Sequence, residues 1–254
     1  MTAALTALTS TLARTQRFDR QLTIPGFGPE QQRKLTGATA LIAGIGGVGG
    51  AVATYLAAAG IGRLILVHPG DLEEPDLNRQ TLMRPDWVGA PRVDCAAITL
   101  GAHYPDVAVE TCAWHLADPR LPGLTASADL VVDARHNFPE RYLVNKLCVQ
   151  AHRPLVVAAM NATEGYVLTV IPGSACARCV FPEGDPSWEP LEFPVLGAVA
   201  GVTGCLAAME AVKMLTGFGR PAVDALTYFD LWDMDFHTLP TRRDPHCPDC
   251  GATP

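Results

Sequence analysis

The most specific chemistry in the chain belongs to four cysteines in two pairs, Cys176-Ala-Arg-Cys179 and Cys247-Pro-Asp-Cys250. Two C-x-x-C knuckles supply four thiolates, the donor set of a closed tetrahedral zinc site with no position open for a substrate. The pairs lie far apart in the chain, so a shared ion would pin the C-terminal tail to the loop that carries the first pair. A redox dithiol and plain surface cysteines are the competing uses, and the presence of two pairs favours structural zinc. His246 stands beside the second pair, but four thiolates need no further ligand. Cys95, Cys112, Cys148 and Cys205 fall in apolar stretches and read as small buried residues.

A second set is built on glycine. Gly44-Ile45-Gly46-Gly47-Val48-Gly49-Gly50 follows the apolar run ATALIAG and leads straight into AVATYLAAAG. Gly44, Gly46 and Gly49 have the G-x-G-x-x-G spacing between a strand and a helix, the context that gives the motif meaning. Glycines let the backbone turn sharply and approach a ligand, and the free N–H groups of a helix start favour a phosphate. The competing use is a tight turn that packs a helix on a sheet without a ligand. A dinucleotide-binding fold places an acid for the ribose hydroxyls at the end of its second strand. Here that place, after Leu64 to Val67, is held by His68. Arg79, farther along, offers a second grip on phosphate and weighs for nucleotide binding. Asp133 ends the run DLVVD, and His136 and Asn137 lie in the loop after it. Carboxyl ends of parallel strands are where open α/β sheets hold ligands. A cap on the next helix is the equal alternative for Asp133.

These residues need a frame, and the patterning supplies one. The stretch 38–67 reads as strand, glycine loop, helix and strand. Val93 to Gly101 reads as a helix with Arg92 at its first turn, and Val107 to Thr111 as a strand. A buried strand over 129–133, a helix from Pro139 to Ala151 and a buried strand from Pro154 to Ala159 follow. From Asn161 the pattern alternates, which predicts antiparallel strands added to a parallel sheet. Residues 182–194 read as a proline-rich, acidic loop. Val195 to Leu215 reads as a helix whose Gly201, Gly204, Ala207 and Ala208 permit close helix contact, with a subunit interface as one natural use. Strands at 225–231 and 234–239 precede the tail. The expected fold class is α/β, a Rossmann-like, mainly parallel sheet continued by antiparallel strands with a C-terminal structural zinc site. The expected organisation is an N-terminal helical arm (1–36), a nucleotide-binding half (37–160) and a half with antiparallel strands, interface helix and zinc tail (161–254). From residue 17 onward these form one integrated domain.

With 254 residues and 48% apolar composition, the chain can bury a large core. A net charge of -7 argues against a non-specific grip on nucleic acid or an anionic membrane. MTAALTALTSTLARTQRFDR lacks the basic start and apolar core of a signal peptide. The nearly uncharged stretch from Val195 to Met209 falls short of the ~20 residues of a membrane span. Paired cysteines suit metal in a reducing compartment better than a disulfide scaffold. A cytoplasmic protein with no nucleic-acid and no membrane partner is expected.

The ordered set RFDRQ, GIGGVG, LNRQ, VGAPRV, VVDARHN, CARC, GVTGCLAAMEAVKMLTG and CPDCG resembles the ThiF/MoeB/HesA family, the bacterial relatives of ubiquitin-activating enzymes. The resemblance covers nearly the whole chain from Arg17. It implies ATP and magnesium, and adenylation of the C-terminal carboxylate of a ubiquitin-like sulfur-carrier protein with release of pyrophosphate. It also implies a homodimer in which Arg20, in the N-terminal arm, reaches the partner's active site. Arg79 and Gln80 would line the phosphates, with Gly44, Gly46, Gly47 and Gly49 beneath the nucleotide. Four positions depart from the family pattern. His68 stands for the ribose-binding aspartate, Asp76 for an asparagine, Arg92 for the phosphate-binding lysine and His136 for the magnesium-associated aspartate. Arg92 keeps the charge but not the compact ammonium, and His136 lacks the anionic oxygen magnesium prefers. Weaker ATP binding and weaker magnesium dependence than in an ordinary member are expected.

The function expected from these residues is ATP-dependent adenylation of a carboxylate, on a small carrier protein, a peptide or a metabolite, with Arg20, Arg79, Arg92 and Asp133 as catalytic residues. A non-enzymatic relative acting as a dimeric scaffold is the first alternative. An NAD-type oxidoreductase is the weaker one.

Overall fold

The computed structural model describes residues 16–184 and 194–251; the start of the expected N-terminal arm and most of the proline-rich loop lie outside them. Two helices, α1 (Asp19–Leu22) and α2 (Pro29–Gly37), lead into β1 (Thr39–Ala43). The chain continues through α3 (Gly47–Ala59), β2 (Arg63–Val67), α4 (Arg92–His103), β3 (Ala108–Cys112), α5 (Leu121–Ser127) and β4 (Leu130–Asp133). Then come α6 (Phe138–Ala151), β5 (Leu155–Asn161), β6 (Glu164–Val170), α7 (Ala177–Val180) and α8 (Gly197–Thr216), and finally β7 (Ala225–Asp230) and β8 (Asp235–Pro240).

All eight strands form one sheet in the order β3-β2-β1-β4-β5-β6-β7-β8. The first five are parallel and β6 to β8 are antiparallel additions, the mixed sheet expected from the change of pattern at Asn161. The chain winds outward from β1 to β3 and then crosses back to β4. The sheet therefore reverses direction between β1 and β4, and a crevice opens there beyond the strand ends.

Continuous apolar strands are needed because both faces are covered. Along β1, Ile42 packs on the side of α3, α4 and α8, while Leu41 and Ala43 pack on the other side with Val144 of α6 and the paired cysteines. Each such fully buried Leu or Ile contributes roughly 1.5–3 kcal/mol.

Two elements depart from expectation. Helix α8 is 20 residues long and is apolar enough to cross a membrane by length and composition, where a stretch too short for that was expected. It ends at Gly217 in the left-handed region, its Lys213 donates to Glu210 at 2.5 Å, and it lies across the sheet against α3. Gly204 serves that internal contact: a Cβ there would lie 2.5 Å from Ala51 Cβ and 2.6 Å from Val48 O of α3. Gly201 has open space around it, and the outward flank of α8 carries Leu196, Cys205 and Met209. Helix α5 was not expected from LPGLTAS; its proline sits in the first turn, where no backbone N–H is missed.

Candidate functional site

A cleft of about 770 Å³ opens over the carboxyl ends of β1, β2, β4 and β5 and extends along β6 to Tyr228 of β7. Its floor is the glycine loop. Gly44 has φ +102°, and a Cβ there would lie 2.7 Å from Ala134 O at the end of β4. A Cβ at Gly49 would lie 1.8 Å from Gly44 O. Neither contact can be relieved by a rotamer, because backbone stands on both sides. Loop and helix are therefore closed against each other, and the first turn of α3, from Gly47, faces the cleft. Gly46 is its N-terminal cap, and Gly47 packs against Arg79 and Ala200.

Arginines and carboxylates interlock around this floor. A 3-10 turn, Glu74–Asn78, presents Asp76, which is 6% exposed. Asp76 pairs with Arg79 at 3.0 Å and with Arg92 at 2.7 Å, and also accepts the Glu73 N–H. Gln80 is 3% exposed, and its Oε1 has no hydrogen-bond partner among the described residues. A buried amide oxygen left unpaired costs about 1–3 kcal/mol.

His68 lies at the end of β2, 7% exposed. Its Nδ1 accepts the Ile45 N–H at 2.9 Å and lies 3.2 Å from Arg135 Nη1, while its Nε2 lies 2.8 Å from Arg92 Nη1. Burial, then the charges of Arg135 and Arg92, push its pKa down to about 2. The ring is neutral at physiological pH.

Asp133 is fully buried at the end of β4. It does not cap α6. It accepts the Arg135 N–H at 2.9 Å and Arg141 Nε at 2.8 Å, and the cap is Asn137, whose Oδ1 accepts the Glu140 N–H at 2.8 Å. Arg135 donates through Nε to Glu140 at 2.7 Å, and Arg141 to the Arg135 carbonyl at 2.6 Å and to the Tyr166 hydroxyl. His136 is at the rim, its pKa lowered by burial and then by Arg135. Arg20 is exposed on α1 and is not among the residues lining this cleft. The structure thus gathers Gly46, Gly47, His68, Asp76, Arg79, Gln80, Arg92 and His136 in one cleft, with Asp133 and Asn137 beneath it, while Gly44 and Gly49 pack against each other and do not line it.

Arg135, Arg141 and Tyr166 were missed from sequence. Arg135 sits in the loop already singled out, and its charge was the available signal. Arg141 lies one turn into α6, four residues after the cap, where a helical side chain leans back toward the strand end.

The same helix reaches the cysteines. Asn145, four residues after Arg141, donates to Asp249 at 2.7 Å and accepts the Ala177 N–H at 2.9 Å. The four Sγ atoms of Cys176, Cys179, Cys247 and Cys250 all lie within 4.8 Å of one another, with neighbours at 3.8, 3.6 and 3.4 Å. Tetrahedral Zn–S bonds of 2.3 Å place sulfurs about 3.8 Å apart. The cluster therefore fits a metal ion, and all four are free thiols rather than disulfides. Asp244 N–H, at 3.3 Å from Cys179 Sγ, supports a ligand from outside the ring.

Magnesium fits less well. Both oxygens of Asp76 and both of Asp133 already accept from arginine or backbone N–H groups, so neither carboxylate presents a free hard oxygen to an ion.

The model of the ThiF family matches residues 18–249. Protein HesA of the heterocyst from Trichormus variabilis is 47% identical over 237 residues, 93% of this chain and 88% of that protein. The sulfur carrier protein adenylyltransferase of Thermus thermophilus is 38% identical over 247 residues, 94% of this chain and 91% of that one. Among solved structures, E. coli MccB with ATP superposes with a TM-score of 0.78 at 25% identity, over 87% of this chain and 68% of that one.

Proposed function

The chain belongs to the ThiF family, and from that membership we propose that it is an adenylyltransferase of the ThiF/MoeB type, transferring the adenylyl group of ATP to a carboxylate. The single observation that carries this reading is the cleft end at the glycine loop. There a helix N-terminus and two guanidiniums, Arg79 and Arg92, face one space. A helix start with arginines suits a polyphosphate. In the reaction a carboxylate oxygen attacks the α-phosphorus, the bond from that phosphorus to the bridging oxygen breaks, and pyrophosphate leaves with the electron pair. Such a displacement needs charge neutralisation and positioning rather than covalent chemistry from the protein. Arg79 and Arg92 hold the phosphates, Gln80 lines them by donating through its amide Nε2–H, and Asp133, through Arg141 and the Arg135 N–H, fixes the loop over which the α-phosphate lies. His136 completes the rim, and Asn137 caps α6 beneath it.

The carboxylate belongs to the C-terminus of a small sulfur-carrier protein or of a peptide. Support comes from the relatives, one named for a sulfur carrier, and from the length of the cleft, which runs on past the phosphate end along β6 to Glu164, Tyr166 and Tyr228. The cysteine cluster holds zinc in a structural role, anchoring the tail to α6. A second copy packs on the outward flank of α8, where Leu196 is 61% and Met209 42% exposed, and Arg20 completes the partner's cleft. Light scattering that finds a monomer at micromolar concentration would remove that part.

One observation favours the scaffold alternative. Arg79, Arg92, Arg135 and Arg141 are each already paired with a carboxylate of the chain, so a nucleotide must compete for them. ATP–pyrophosphate exchange separates the two. Exchange that rises with a carrier or peptide ending in a free carboxylate supports the enzyme. No exchange with any carboxylate, in a protein that holds its zinc and its dimer, selects the scaffold.

A further inference from the structure

Three N–H donors converge on the His68 ring, which has one acceptor when neutral. Ile45 N–H and Arg135 Nη1 face Nδ1, and Arg92 Nη1 faces Nε2. The tautomer follows from counting mismatches. A proton on Nδ1 would set two donors against it, one of them a buried backbone amide. A proton on Nε2 sets only Arg92 against it, so Nδ1 accepts and Nε2 carries the hydrogen. Nε2–H and Arg92 Nη1–H then stand 2.8 Å apart as two donors without an acceptor between them, and both residues line the cleft. Asp76 does not resolve the mismatch, because it takes Arg92 through Nε and Nη2.

The end of the second strand in a nucleotide-binding α/β fold meets the sugar, where a carboxylate accepts the 2′-hydroxyl proton. In this chain the polarity of that contact is reversed. We propose that His68 and Arg92 recognise the sugar edge of the nucleotide by donating two hydrogen bonds to one oxygen, so that the cleft requires an acceptor there and not a hydroxyl proton. This rests on the nucleotide reading above and makes His68 the residue that sets sugar specificity. An ether oxygen serves as well as a hydroxyl, whereas a carbon bearing only hydrogen leaves both donors unpaired.

The test is calorimetric titration of the zinc-replete full chain with ATP, 2′-O-methyl-ATP and 2′-deoxy-ATP, with no carboxylate present. The expected order is ATP and 2′-O-methyl-ATP within about threefold, and 2′-deoxy-ATP about tenfold weaker, the loss of hydrogen bonds from a charged donor. His68→Asp should bind ATP well and lose about tenfold on both analogues, so that 2′-O-methyl-ATP no longer binds like ATP. His68→Asn, whose amide keeps an acceptor for Ile45 and a donor for the ligand, should preserve the wild-type order. It also serves if the aspartate variant fails to fold. Equal loss on the methylated and deoxy nucleotides in the wild type overturns the inference while leaving ATP binding intact. Equal affinity for all three overturns it as well, since nothing then reads the sugar edge. A wild-type order that persists in His68→Asp assigns the selectivity elsewhere. If none of the three binds, the nucleotide reading itself falls and takes the inference with it.

Discussion

Replacing Arg141 with methionine keeps an unbranched apolar stem and deletes the charge, which isolates what the guanidinium does. Asp133 would be left fully buried, with the Arg135 N–H at 2.9 Å as its remaining recorded donor. Removing one partner of a buried ion pair costs about 3–5 kcal/mol, because the other charge stays behind uncompensated. The Arg135 carbonyl, which accepts from Arg141 at 2.6 Å, loses a bond worth about 1 kcal/mol more. A total of about 4–6 kcal/mol is a large part of the 5–15 kcal/mol typical of a folded domain. At about 2–4 °C per kcal/mol for a chain of this size, Tm should fall by roughly 10 °C or more. Urea unfolding read by tryptophan fluorescence gives the loss directly, with an unchanged m value showing that the unfolded state is the same. The double variant Asp133→Asn/Arg141→Met removes the stranded charge and should recover at least about half of the loss. A single-variant cost below about 1 kcal/mol, or a double variant no more stable than the single one, would refute the reasoning.

Gly49→Ala would place a Cβ 1.8 Å from Gly44 O, so α3 must retreat from the loop; calorimetry should show ATP affinity reduced by tenfold or more, and undiminished affinity would contradict the closed loop. Elemental analysis should find near-stoichiometric zinc, and Cys247→Ser should expose the tail beyond Thr241 to protease while the sheet stays folded; a stable metal-free chain, or a disulfide under reducing conditions, argues the other way. His68 takes up a proton near 6.5 when unfolded and only near 2 when folded, so the unfolded state binds more protons between these values. Its contribution is complete above pH 6.5 and is lost as pH falls, at up to about 1.4 kcal/mol per pH unit. His68→Asn should therefore lose about 1 kcal/mol less than the wild type between pH 7 and pH 5.5, and equal losses would show that the ring is not held neutral.

What could be read in advance was what is local in the chain. The glycine loop and both cysteine knuckles depend on spacing within a few residues, and the change from parallel to antiparallel strands shows as a change of period at Asn161. The roles of buried polar residues depend on which elements face each other, and spacing does not carry that. Arg141 and Asn145 are ordinary polar positions of a helix until β4 and the cysteine cluster are set beneath its two turns. The small residues of α8 signal a close neighbour without naming it, and for Gly204 that neighbour is α3 of the same chain. His68 was legible as an unusual residue at a strand end. That it is neutral, with two arginines against it, follows only from its burial beside Arg92 and Arg135.

The central claim is that this cleft moves an adenylyl group to a carboxylate, and the most direct measurement is the intact mass of a carboxylate-ended partner after incubation with ATP. Small proteins ending in Gly-Gly, and short peptides with a free C-terminus, are mixed with the zinc-replete chain and analysed without a nucleophile that would discharge the product. The account predicts a partner heavier by one adenylyl group, with pyrophosphate released in equal amount, and no product from Arg79→Ala. ATP bound with no adenylylated partner and no pyrophosphate, or product formed equally well by Arg79→Ala, would contradict it.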